Sequence, residues 1–329
     1  MDLQQNFGFK SARKAFSRCG IALVLFFAAT FASQILIGML FGKQLENMSR
    51  LSELILSSAT MYLIGFPVFY LSLNGIDTFE GDSAPCSLKT LGVAFVISMT
   101  LMYFGQILGD VVAAFFYNTF NILLVSESLE IIGQIKWYEA LIFSVIIGPF
   151  VEELMFRKLI IDRTRGYGEK LSIVFSALMF GFFHMSPQQF FYAFFIGLLY
   201  GYLYIRKGKL FYCWLLHAVF NFFGGTLPLI LMQFADYEKF LNAGSYDEMY
   251  KMIEANPIGF GAISAYSLAT LVMSFVGIGW FLKRYRRIRF ERALFELPKD
   301  SEATTAFVNV GVILFIAFTI IYPLWVATM

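Results

Sequence analysis

Nine long apolar runs leave this chain few ways to fold. They cover roughly Gly20–Gly42, Leu54–Leu73, Thr90–Tyr117, Ala140–Leu159, Leu171–Met185, Gln189–Ile205, Leu210–Met232, Ile263–Leu282 and Phe307–Ala327. A helix needs about 20 apolar residues to cross a bilayer, and every backbone polar group inside the hydrocarbon must be paired within the chain. The runs therefore predict an all-α polytopic membrane helix bundle with about 8–9 transmembrane helices. Composition agrees: 58% of the residues are hydrophobic and 15% charged, which excludes an ordinary soluble domain. The fifth and sixth runs are short and separated only by Ser186-Pro187-Gln188, so they read as a tight helical hairpin.

Loop charges test the count. With the N-terminus in the cytoplasm and each run crossing once, the inner side carries all of the 25 Lys and Arg except Lys43, Arg50, Lys136, Lys239 and Lys251. That bias is the expected one for cytoplasmic loops, and it places the chain in a cell membrane, expected to be the plasma membrane of a prokaryote. The inner loop Asn74–Lys89 fits worst, with Asp77, Glu80 and Asp82 beside a single lysine. The first run has no cleavage site and is too long for a signal-peptide core, so it is read as a retained span. The densest basic cluster, Lys283 to Arg289, reads as a stop signal that also touches anionic membrane lipid; a juxtamembrane position explains its charge without nucleic acid. The longest outer loop is Gln233–Phe260. Cys19, Cys86 and Cys213 have neither disulfide nor zinc spacing, and Cys213 reads as a packing residue.

Polar residues inside the runs carry the functional signal. Charges in hydrocarbon are expensive and are normally paired or functional. Glu152, Glu153 and Arg157 lie within one apolar run. Glu153 and Arg157 are four apart and share a helix face, so they are expected to form a structural ion pair. Glu152 is rotated by about 100° and must face another part of the chain. The only two histidines, His184 and His217, both lie in apolar runs, and His217 shares a face with Asn221. Gln106 and Asp110 also share a face and are expected to hydrogen-bond between helices. The aromatic stripe Phe190, Phe191, Tyr192, Phe194 and Phe195 is expected at lipid or in the core, and Gly197 with Gly201 should let a neighbouring helix approach closely. A carboxylate and an imidazole can together activate water, and an imidazole and an amide can stabilise a developing oxyanion. That chemistry is amide hydrolysis in a membrane cavity.

The motifs Glu152-Glu153-x-x-x-Arg157, Phe180-x-x-x-His184 and His217-x-x-x-Asn221 resemble the three signatures of the CAAX protease and bacteriocin-processing family, also called ABI, which includes the type II CAAX prenyl endopeptidases. The resemblance spans roughly Leu91 to Leu231. It implies a catalytic bundle at residues 90–233, an N-terminal segment with two accessory spans at 1–89, and an outer loop with two further spans at 234–329. It further implies an intramembrane endopeptidase in which Glu152 with His184 activates water and His217 with Asn221 forms the oxyanion site. The expected substrate is a peptide or protein segment, prenylated in eukaryotic relatives. No cofactor is expected: two His and one or two Glu suffice to ligate zinc, but Asn221 makes better sense as a donor than as a ligand. The rival readings are a non-catalytic membrane scaffold that binds a partner protein and a small-solute transporter. Intact motifs argue against the first, and the lack of an inverted repeat argues against the second.

Overall fold

The computed structural model describes residues 3–46, 48–124 and 135–328, so residues 125–134 of the expected 90–233 unit lie outside it. Among the described residues there is no strand, and the main helices follow the nine expected runs. They are α1 (Leu3–Leu45), α2 (Arg50–Ser72), α3 (Leu88–Phe120), α4 (residues 137–164), α5 (Glu169–Phe183), α6 (Pro187–Lys207), α7 (Leu210–Phe234), α8 (Pro257–Arg284) and α9 (Val310–Val326). Helices α1, α2, α3, α7 and α8 are long and apolar enough to cross a membrane, and α9 is a shorter apolar helix. Of the other three, α5 is mostly buried, while α4 exposes Trp137, Ile142, Ile146 and Phe150 along one side. At 15 residues, α5 is only about 22 Å long, and α4 carries the charged residues of the first motif.

Differences from the sequence reading have local causes. Helix α1 begins well before Gly20 because Ala12, Ala15, Phe16 and Cys19 are buried, while Arg18 reaches out to the Ser72 carbonyl at 2.7 Å. Gln106 and Asp110 are exposed and make no hydrogen bond between helices, contrary to expectation. Asp110 stands about 33 Å along α3 from its basic end, so a spanning α3 carries it to the far interface, where water can solvate it. The hairpin forms as expected: α5 ends at His184, Met185 turns with φ 51°, and α6 starts after Ser186. Gly197 is required there, since a Cβ on it would sit 2.9 Å from Ala177 Cα on α5. The aromatic stripe is half-buried, with Phe182 and Phe190 ring centroids 4.6 Å apart. Cys213 is fully buried and its thiol faces the Tyr200 carbonyl, a packing role as expected. The loop Gln233–Phe260 carries short helices at Tyr237–Leu241 and Tyr246–Ala255.

The basic loops gather at one end of the bundle. The segment 74–87 crosses that end as a strap, held by Phe79 N–H to Asp162 O, Ala84 N–H to Lys207 O, and Lys158 to Glu80 at 2.5 Å. One of its acidic residues, Glu80, is thus answered by Lys158 of α4. The segment after α8 joins the same layer: Phe295 N–H donates to Gly166 O, Leu297 N–H to Tyr167 O, and Arg206 binds both Glu169 and Glu291.

Four described stretches are wound as wider π-helical turns, and three of them, Met61–Gly65, Leu141–Ile147 and Phe222–Thr226, share one cause. Each ends two residues before a proline: Pro67, Pro149 and Pro228. Proline lacks an N–H, and its ring clashes with the carbonyl four residues back. A wider turn with i→i+5 bonds relieves that clash. The bonds are present one residue before each proline, from Phe66 N–H to Met61 O, Gly148 N–H to Phe143 O, and Leu227 N–H to Phe222 O. The next rung in each case would need the proline's own N–H. Its carbonyl partner (Tyr62, Ser144 or Phe223) is left without a donor from its own helix. Side chains fill two of these vacancies. Tyr266 Oη donates to Phe223 O at 2.5 Å, and Asn221 Nδ2 donates to Ser144 O at 2.8 Å.

Candidate active site

Glu152 and Glu153 close a short α-helical piece, Gly148–Glu153, between two π-helical stretches of α4. In α geometry adjacent residues diverge by about 100°, and the two carboxylates do part. Glu153 is fully buried. Arg157 Nε lies 2.9 Å from its Oε2, and Arg157 Nη2 donates to its Oε1 at 3.3 Å. Arg157, also fully buried, donates through Nη1 to Ser176 Oγ of α5 at 3.2 Å and lies over the Phe180 ring, 5.1 Å from its centroid. Ser176 in turn donates to the Phe156 carbonyl at 2.8 Å. Both ions are desolvated, so they persist only because each has a partner.

His217 comes from α7 and stands between the two glutamates. Its Nδ1 is 2.9 Å from Glu153 Oε1, and its Nε2 is 3.7 Å from Glu152 Oε2. An ionised carboxylate only accepts, so the contact with Glu153 puts a proton on Nδ1 and aims Nε2 at Glu152. The 3.7 Å gap is too long for a direct hydrogen bond and suits a shared water. Tyr200 of α6 and Phe180 of α5 flank the ring, with centroids 5.8 Å and 5.9 Å away. The Glu152 side chain keeps 24% of its surface exposed and is the open face of the cluster.

His184 enters from the end of α5, its ring edge-on to Phe180 at 4.9 Å, with a buried Nδ1 that has no hydrogen-bond partner. It lies within electrostatic reach of both Glu152 and His217. Asn221, one turn beyond His217, uses one amide hydrogen on Ser144 O and keeps the other. The six expected residues thus come from three helices, with His217 rather than His184 directly opposite Glu152. Among the described residues no group of three or more His, Cys, Asp or Glu side chains converges as a metal site would.

The support residues were harder to see in sequence. Ser172 and Ser176 repeat at four-residue spacing on α5, and both face α4: Ser172 Oγ meets Thr164 Oγ1 at 2.5 Å and Ser176 meets Arg157. That spacing was a usable signal. The backbone partner of Asn221 had none short of counting back five residues from Pro149.

Comparison with known proteins agrees with the motifs. The family model described as "Type II CAAX prenyl endopeptidase Rce1-like" matches residues 134–223, which contain all three motifs. The searches of curated proteins and of solved structures returned no match. Residues 134–223 of this helical integral membrane protein are thus similar to the type II CAAX prenyl endopeptidases.

Proposed function

We propose that the protein is an intramembrane endopeptidase of the CAAX-protease type that hydrolyses a peptide bond with a water held at Glu152. The observation that carries the reading is His217 of α7, set between Glu153 at 2.9 Å and Glu152 at 3.7 Å, both on α4. A structural ion pair needs one carboxylate; the second, half-open one is what a hydrolase needs. In this scheme Glu152 takes a proton from the water as its oxygen adds to the scissile carbonyl carbon. His184, within electrostatic reach of Glu152, orients that water. The oxyanion meets the spare amide hydrogen of Asn221 and, when Nε2 is protonated, the ring of His217. As the C–N bond breaks, the proton held by Glu152 passes to the leaving amine. A neutral His217 has already committed its one N–H to Glu153, so its oxyanion role requires the second proton. Glu153 and Arg157 hold His217 in place and do not touch substrate. The basic end of the bundle faces the cytoplasm of a prokaryotic cell, and the substrate is a peptide or protein segment reaching the membrane, with prenylated C-termini the first class to try.

The test is cleavage of a peptide library, prenylated C-termini included, by the purified protein in detergent. Wild type, Glu152→Gln, His184→Ala and His217→Ala are compared, each with and without a strong zinc chelator. Loss of cleavage in all three variants with no effect of the chelator supports the scheme. Loss on chelation with recovery on added zinc replaces the metal-free scheme with a metallopeptidase. Variants that complement a deletion strain as well as wild type does point to the scaffold reading instead.

A further inference from the structure

We propose that the groove between α3 and α8 at the basic end of the bundle binds one anionic glycerophospholipid. The two helices touch closely at mid-height. Thr100 Oγ1 donates to Ser274 O at 2.7 Å, Tyr103 and Thr270 hydroxyls meet at 2.7 Å, and Gly277 lies against Thr100 and the Val96 carbonyl. One turn nearer the basic end the small residues stop, Trp280 takes their place, and the helices enclose a cavity of 610 Å³. Its walls are apolar, with Phe95 and Trp280 prominent, and its rim carries Lys89, Lys283, Arg284 and Arg287. Among the described residues none of these four cations has a carboxylate within ion-pair distance, and Arg284 lies over the Trp280 ring at 5.8 Å. By contrast, two cations of the same layer are answered by acids, Lys158 by Glu80 and Asp162 and Arg206 by Glu169 and Glu291. The groove is therefore a concentration of unanswered positive charge on top of an apolar slot that opens where headgroups lie. A phosphodiester on the rim with an acyl chain against Phe95 and Trp280 fits both halves. A free phosphate would use only the rim, and a neutral lipid only the slot.

The experiment measures lipid retention. Wild-type protein is reconstituted in nanodiscs of phosphatidylcholine with graded phosphatidylglycerol, and co-purifying lipid is counted by native mass spectrometry after release into detergent. One phosphatidylglycerol retained per chain over phosphatidylcholine is expected. In the Lys89→Gln/Arg284→Gln/Arg287→Gln variant, retention should weaken about a hundredfold, since each cation near the membrane surface is worth roughly fivefold. Arg286→Gln/Arg289→Gln takes charge from the same run off the cavity and should retain lipid as wild type does. Gly92→Leu tests the slot with every charge left in place. A Cβ at Gly92 would meet nothing within 4 Å, so the backbone there admits a side chain, and the variant should fold and lose the lipid. Equal loss in the cavity and off-cavity variants reduces the effect to diffuse attraction and overturns the site. Equal retention of phosphatidylcholine, competition by inorganic phosphate, or displacement by a prenylated peptide overturns it as well, each by naming a different occupant.

Discussion

Removing the Asn221 amide should cost stability only while residue 149 is a proline. Asn221 Nδ2 is the donor to Ser144 O, the carbonyl that the i→i+5 register would pair with the N–H of residue 149. Asn221→Ala leaves this half-buried carbonyl without a partner. Hydrogen bonds between membrane helices average roughly 0.6 kcal/mol and reach about 1.7 kcal/mol. The bond is short and its acceptor has no replacement, so we expect about 1 kcal/mol, or about fivefold in the unfolding constant. Pro149→Ala restores an N–H at residue 149. Whether the helix keeps its wide turn or reverts to α register, Ser144 O then finds a backbone donor. In that background Asn221→Ala should cost almost nothing, so the two substitutions should couple by about 1 kcal/mol. The assay is unfolding of wild type, both single variants and the double variant in mixed dodecyl sulfate micelles, followed by tryptophan fluorescence. Additive costs would refute the reasoning: Asn221 would then stabilise the fold through something other than the vacancy made by Pro149. Peptidase activity of the same four proteins separates this positioning role from the proposed oxyanion role. If both hold, the double variant recovers its stability and stays slow.

The same logic predicts that Tyr266→Phe destabilises the protein by about 1 kcal/mol, and that Pro228→Ala removes most of that cost, read by the same unfolding assay. Glu153→Gln strands the buried Arg157, so it should cost about 3–5 kcal/mol and lower the yield of folded protein in detergent. Adding Arg157→Met should recover folding without activity, whereas Glu152→Gln, on the open face, should fold normally. At the basic end, the hydrogen bond and charge of Lys158 hold the Glu80 carboxyl below its ordinary range. A carboxyl lowered in the folded state stabilises it above the unfolded-state pKa and loses that contribution as pH falls through the folded one. The protection of residues 76–84 against hydrogen exchange, taken relative to the intrinsic rate at each pH, should therefore be flat near neutrality and fall only below about pH 4, and Glu80→Gln should abolish that acid response.

Hydrophobic run length, charge bias and helical spacing made the bundle, the hairpin at Ser186, the Glu153–Arg157 pair and the divergence of Glu152 legible in the sequence. All of these depend on local geometry or on the solvent an element meets, which residues a few positions apart determine. The partners across helices were not legible. Sequence spacing could not say that His217 would lean on Glu153, that Asn221 would serve a carbonyl on α4, or that Glu80 of the 74–87 strap would answer Lys158. It misjudged Gln106 and Asp110 because height along α3, not face, decides their surroundings. The physical reason is phase. Each π-helical turn adds a residue and rotates everything beyond it by about 100° relative to a regular helix. The 3.6-residue period therefore predicts neighbours within one segment and fails across a proline-widened turn. Local chemistry chose which residues are polar, and the packing of α4, α5 and α7 around the turn before Pro149 decided which of them meet.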